Sequence, residues 1–114
     1  MGTITYDRTV IEFDDRMLAH LHVVIMQKFR RGESFPMSWL DALALGDGRS
    51  SVWMTPTVPV YFKFAGSRMA TISRDWIGVL TLSAASSTGL IVTNENGTAG
   101  RAGMRYDLGD RNRL

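Results

Sequence analysis

Cysteine is missing from the chain altogether. Its absence removes disulfides, thiolate nucleophiles and sulfur ligands for zinc, and it fits a reducing compartment. Histidine is nearly as scarce, with only His20 and His22. On a helix, positions i and i+2 point roughly 200° apart, so these two cannot grip one metal together. His20 is expected in solvent and His22 beside the core. No apolar run approaches the ~20 residues that span a bilayer. The opening residues Met-Gly-Thr-Ile-Thr-Tyr-Asp also lack the basic and long apolar stretches of a signal peptide. A soluble, cytoplasmic protein without a membrane partner is expected, or a virion protein if the gene belongs to a phage.

A large net charge is lacking too. Residues 97–114 hold Arg101, Arg105, Arg111 and Arg113 against Asp107 and Asp110, a net of +2 that equals the formal charge of the whole chain. Residues 1–96 therefore balance at nine basic and nine acidic side chains. A body so neutral does not have the electrostatic footprint of a strong nucleic-acid binder.

What the sequence has is one long amphipathic stretch. From Asp14 to Gly32 the spacing predicts a helix, with Asp14 as N-cap, Asp15 at the positive end of its dipole, Lys28, Arg30 and Arg31 at the negative end, and Gly32 as the stop. Met17, Leu18, Leu21, Val24, Ile25 and Phe29 make one broad apolar face. Ala19, Val23 and Met26 make a second, weaker strip. A helix so little wetted is expected to be covered on more than one side, by a sheet and a tail or by a second copy of the chain.

The rest reads as short strands. Residues 3–6 and 9–13 form a hairpin around Asp7-Arg8. Residues 34–40 alternate Phe35, Met37 and Trp39, with Pro36 marking an edge-like strand. Residues 51–55 and 58–65 follow, the latter with Val60, Phe62 and Phe64 on one side and Tyr61 and Lys63 on the other. Ser73 or Thr71 caps a second helix with Trp76, Ile77, Leu80 and Ala84 as its stripe, and residues 90–93 are a last strand. The expected fold is α+β, a single mostly antiparallel sheet in ββαβββαβ order with two helices on one face. One domain spans residues 1–95. Residues 96–114 read as a Gly/Arg-rich extension, flexible unless a partner orders it through Arg101, Arg105, Arg111 and Arg113.

Enzymatic chemistry finds little footing. Capping and dipole account for Asp14 and Asp15. The loop Gly46-Asp-Gly-Arg-Ser-Ser51 leads into a strand, whereas phosphate cradles lead into a helix. No Gly-x-Ser-x-Gly elbow occurs. No catalytic residue, metal, cofactor or small-molecule substrate is expected. One surface set stands out: Trp53, Tyr61 and Lys63 on the sheet face away from the helices, with Arg30 and Arg31 at the helix end. Exposed aromatics more often mark a protein contact, and beside cations they can also stack bases.

The phrases Ile11-Glu-Phe-Asp-Asp-Arg-Met-Leu-Ala-His20, Arg30-Arg-Gly-Glu-Ser-Phe35, Trp39, Trp53-Met-Thr-Pro56 and Pro59-Val-Tyr-Phe-Lys-Phe-Ala-Gly66 resemble a family of small actinobacterial and actinobacteriophage proteins, over about residues 2–95. Its members often carry an automatic label of ATP-dependent DNA ligase, without an established function. That chemistry needs a lysine in a Lys-x-Asp-Gly context to carry the adenylate. Here Lys28 precedes Phe-Arg-Arg and Lys63 precedes Phe-Ala-Gly. The resemblance implies a small module met beside DNA-processing proteins or in a virion. The expectation is a non-catalytic protein-binding or assembly module, a homo-oligomer or a capsid-decoration-like phage protein. The alternative is a DNA- or RNA-binding accessory protein.

Overall fold

The computed structural model of the protein describes residues 1–107. The chain opens with a hairpin of β1 (Gly2–Tyr6) and β2 (Thr9–Phe13), turned at Asp7, whose φ of +56° aspartate tolerates better than most residues. The helix α1 (Asp15–Arg30) then runs as the sequence specifies. The Asp14 carboxylate accepts from the Met17 N–H at 2.8 Å. At the other end Gly32 takes φ +70°, and the N–H groups of Gly32 and Glu33 donate to Phe29 O and Lys28 O. This is the Schellman arrangement that satisfies the last carbonyls of a helix. Met17, Leu18, Leu21, Val24 and Ile25 are all buried.

Strands β3 (Phe35–Asp41), β4 (Arg49–Met54) and β5 (Val60–Lys63) precede α2 (Arg74–Ala85), and β6 (Leu90–Ile91) and β7 (Arg101–Tyr106) close the described chain. The fold is α+β, with both helices packed on one face of a mostly antiparallel seven-stranded sheet. The strand order is β4-β3-β7-β2-β1-β5, with β6 beside β3.

The two edge strands, β4 and β5, follow one another in sequence. A flat sheet would hold them about five strand spacings, ~24 Å, apart. The link 55–59 reaches only ~20 Å even when fully extended. The sheet must therefore curl, and its concave side holds the helices. Tyr6 closes the curl. Its buried hydroxyl accepts the Thr55 N–H at 2.8 Å and donates to Thr55 O at 3.4 Å, joining β1 to the residue just after β4.

Three expectations need correction. Residues 96–107 are not a loose extension, since β7 lies inside the sheet between β2 and β3. Its alternation of Ala102, Met104 and Tyr106 against Arg101, Gly103 and Arg105 is that of a strand, masked by small and charged residues. Consequently β3 is not an edge: it has β4 on one side and β6 and β7 on the other. Pro36 is tolerated because it pairs only with Trp53 of β4, before the pairings with β6 and β7 begin. Finally, the order gains a strand, ββαβββαββ.

β6 and β7 act as one interrupted strand running parallel to β3. Leu90 and Ile91 pair with Met37 and Ser38, and Arg101 and Ala102 pair with Leu40 and Asp41. Between them the loop 93–99 bulges out, closed by the Thr93–Ala99 bridge and by the Gly100 N–H donating to Val92 O at 2.9 Å. Gly89, at φ +77°, precedes this strand where a Cβ would fall 2.3 Å from Pro36 O, so only glycine fits.

A chain ended at residue 95 loses the strand that fills the gap between β2 and β3. It is expected to show no cooperative thermal transition by circular dichroism, whereas the full chain melts cooperatively. A cooperative melt of residues 1–95 would show that β7 is an accessory.

Candidate functional site

The sheet face away from the helices is built by alternation. Because Ile4, Tyr6, Ile11, Phe13 and Phe62 point into the core, their neighbours point outward. Tyr61, Thr5, Val10 and Arg105 form one cross-strand row, and Lys63, Thr3, Glu12 and Gly103 the next. Across β3 and β4 the same face carries Arg49, Ser51 and Trp53, opposite Leu40, Ser38 and Pro36. The helices pack on the other side, although Val10 and Ser38 of this face are themselves buried. Trp53 is 62% exposed and Tyr61 63%, so both rings are free for a partner.

No strand ladder joins the two rings, however. Trp53 stands on edge strand β4 and Tyr61 on edge strand β5. Lys63 accompanies Tyr61 on β5, while Arg30 and Arg31, both exposed, lie at the end of α1 that leads into Pro36, the ladder partner of Trp53. The expected set therefore splits in two. Arg105 stands outward on β7 between the two groups. Arg101 is engaged, donating to Asp41 O at 2.9 Å and lying 3.5 Å from the Asp47 carboxylate. Arg111 and Arg113 lie outside the described residues.

A second cluster, which the sequence reading missed, ties the first turns of α1 to distant segments. Asp15 is more than a dipole partner: its two oxygens accept from the N–H groups of Ala65 and Gly66, at 3.0 and 2.8 Å. Those two bonds hold its carboxyl below the usual carboxylate range. Arg16 pairs with Glu95 at 2.9 Å, donates to Thr71 O and lies over the Trp76 ring. The pairing lowers the Glu95 carboxyl and raises the Arg16 guanidinium.

His20 is fully buried rather than solvated, stacked on Trp76 with centroids 4.2 Å apart. Its Nε2 accepts the Ser73 N–H at 2.9 Å, and its Nδ1 lies 2.7 Å from Arg16 O. Those two contacts together call for the neutral ring with its proton on Nδ1. Trp76 in turn donates its indole N–H to Thr93 O at 2.7 Å.

Histidine, serine and carboxylates are thus gathered in one place, but not as a relay. His20 Nε2 is occupied by a backbone N–H, and Ser73 Oγ caps α2 by accepting from the Trp76 N–H at 3.3 Å. Nucleophilic catalysis needs a hydroxyl within reach of a free base. Among the described residues no group of three or more histidines, aspartates or glutamates is placed to hold a metal. No helix among them is long and apolar enough to cross a membrane.

The third feature is a groove of about 270 Å³ between α1 and residues 64–72. One wall is the second strip of α1, Ala19 and Val23 with His22, and the other holds Phe64, Met69 and Ile72. His22 flanks the core as expected, edge-on to Phe62 at 4.7 Å.

A family described as a domain of unknown function, DUF7882, matches residues 1–95. The chain belongs to DUF7882. No curated protein and no solved structure matches it. The DUF7882 match covers α1, the groove and the clamp through Glu95, and it stops inside the loop 93–99, before β7.

Replacing His20 with Phe keeps the stacking on Trp76 but orphans the half-buried Ser73 N–H. Urea denaturation is expected to show a loss of about 1–3 kcal/mol; a change below ~0.5 kcal/mol would mean that the bond is idle.

Acid should act through Asp15 and Glu95. Both carboxyls are lowered on folding, so their contribution is fully present only above the ordinary carboxylate range, beyond about pH 5–6, and is lost as pH falls through their folded values. Thermal melts between pH 3 and 7 should give Asp15→Asn a lower Tm than the parent at pH 7 and a smaller further drop on acidification. Parallel curves would remove the Asp15 clamp from the account.

Proposed function

We propose that this DUF7882 protein is a non-catalytic assembly module that works by binding further copies of itself. The observation that carries the reading is the open sheet face with Trp53 and Tyr61 exposed at its two margins. An aromatic ring left in water on each edge strand of that face is the composition of a contact surface. The charges suit a partner of the same kind, since Lys63 and Arg105 stand on that face with Glu12, and no ion pair joins any of them among the described residues. Polar groups of the His20 and Ser73 cluster are consumed by structural bonds, which favours binding over catalysis. A capsid-decoration-like role in a phage particle is the concrete form of this reading.

A second reading draws on a separate observation. Arg49, Lys63 and Arg105 outnumber Glu12 on the outer face, and a cationic sheet with aromatic margins can hold a nucleic-acid strand. The described body balances its charges outside β7, which favours a protein contact over a nucleic-acid strand.

Light scattering between about 10 µM and 1 mM should show mass rising with concentration, and Trp53→Ser with Tyr61→Ser should lower it. A monomer throughout would overturn self-assembly. Binding of oligonucleotides at ~50 mM salt that weakens steeply with added salt would instead establish the second reading.

A further inference from the structure

Residues 64–73 form an irregular strap fastened to α1 at both ends. Asp15 holds Ala65 and Gly66, Arg16 holds Thr71 O, and His20 holds the Ser73 N–H. Between the fasteners, residues 67–70 make no backbone hydrogen bond among the described residues. The strap passes over the second apolar strip of α1 without sealing it, which leaves the groove open above Ala19 and Val23. Met69 stands on its rim and is 92% exposed. It is the most exposed large apolar side chain among the described residues, and it stands beside an apolar hollow.

The patch is complementary to itself. It has a knob, Met69, and a hollow beside it. It also has one cation, Arg68, and one anion, Asp15, and no ion pair joins them. The Asp15 carboxylate takes one N–H on each oxygen, which leaves each oxygen a second lone pair for a guanidinium. A patch with paired opposite features of this kind matches a copy of itself turned through a two-fold axis, as isologous interfaces require.

We propose that the groove between α1 and residues 64–72 is a self-association surface. Two copies pair about a two-fold axis, with Met69 of each resting on Ala19 and Val23 of the other. Arg68 of each faces Asp15 of the other. The proposal extends the self-assembly reading to a surface separate from the sheet face. The patch is smaller than the ~800 Å² per partner of a standard interface, so the contact is weak and half-complete only at about 0.1–1 mM.

Intermolecular paramagnetic relaxation tests it. An unlabelled Ser67→Cys copy carrying a nitroxide is mixed with isotope-labelled parent protein at ~1 mM. The amides of Ala19 and Val23 in the labelled copy should broaden, and the effect should fade on dilution. Met69→Asp, at a site already in solvent, should abolish the broadening while leaving the thermal melt unchanged. Arg68→Glu should weaken association at least tenfold, and Arg68→Lys should weaken it far less. No broadening at ~1 mM overturns the proposal. Broadening confined to Thr5, Val10 and Tyr61 also overturns it while upholding association through the sheet. Groove broadening that survives in the Trp53→Ser, Tyr61→Ser protein upholds the proposal and shows that the groove contact forms independently of the sheet face.

Discussion

One constraint governs the molecule: the inner face of α1 has to be kept dry by a sheet that is thin and has two free edges. Leu18, Leu21 and Ile25 are completely buried, and burying each such side chain contributes roughly 1.5–3 kcal/mol. A domain of this size has only about 5–15 kcal/mol of net stability, so these three positions alone are a large share of it. The curl of the sheet follows from that need. A flat layer would touch the helix along one line, whereas the curled one reaches it from β1 on one side and from β3, through Phe35 against Phe29, on the other. Tyr6 and Thr55 fasten the curl where the core meets the edge.

The polar shoulder of α1 solves a different problem, the docking of a long irregular segment. Magnitudes indicate which of its contacts matters. Arg16 and Glu95 are both well exposed, and solvent screens such a pair so that it contributes little. The His20–Ser73 bond is part-buried under a fully buried ring, and losing its acceptor costs about 1–3 kcal/mol. The histidine, rather than the ion pair, therefore fixes the end of the strap and the start of α2. Fastened at 65–66 and at 71–73, the strap makes no backbone hydrogen bond at 67–70 among the described residues, and the groove follows from that geometry.

Much of this fold was legible in the chain. Asp14, Gly32 and the Met17, Leu18, Leu21, Val24, Ile25 stripe specify α1 with its caps, and Ser73 with Trp76, Leu80 and Ala84 specifies α2. Local patterns of this kind are written in adjacent residues. Strand β7 was not legible, because Gly103 and two arginines dilute its alternation and because its partners, β2 and β3, lie ~60–90 residues earlier. His20 was misjudged for a related reason. Its place on the polar side of α1 is correct, but the segment that buries it arrives 53 residues later. The candidate surface was half legible: alternation put Trp53, Tyr61 and Lys63 on the outer face, and only the strand order reveals that they belong to opposite edges.

The two surfaces differ in how they relate to the family match. The groove is built wholly from residues between Asp15 and Ile72, inside the region that DUF7882 covers. The sheet face takes Gly103 and Arg105 from β7, outside that region. Symmetry makes the distinction matter. A single isologous surface stops at a dimer, since each copy's patch is consumed by one partner. Two separate isologous surfaces on one chain let copies alternate, sheet face to sheet face and groove to groove, into a larger closed or extended array. In that scheme the weak groove contact supplies growth only where another contact has already raised the local concentration. Assembly would then be set by the sheet face, and the strap of α1 would decide how far it proceeds.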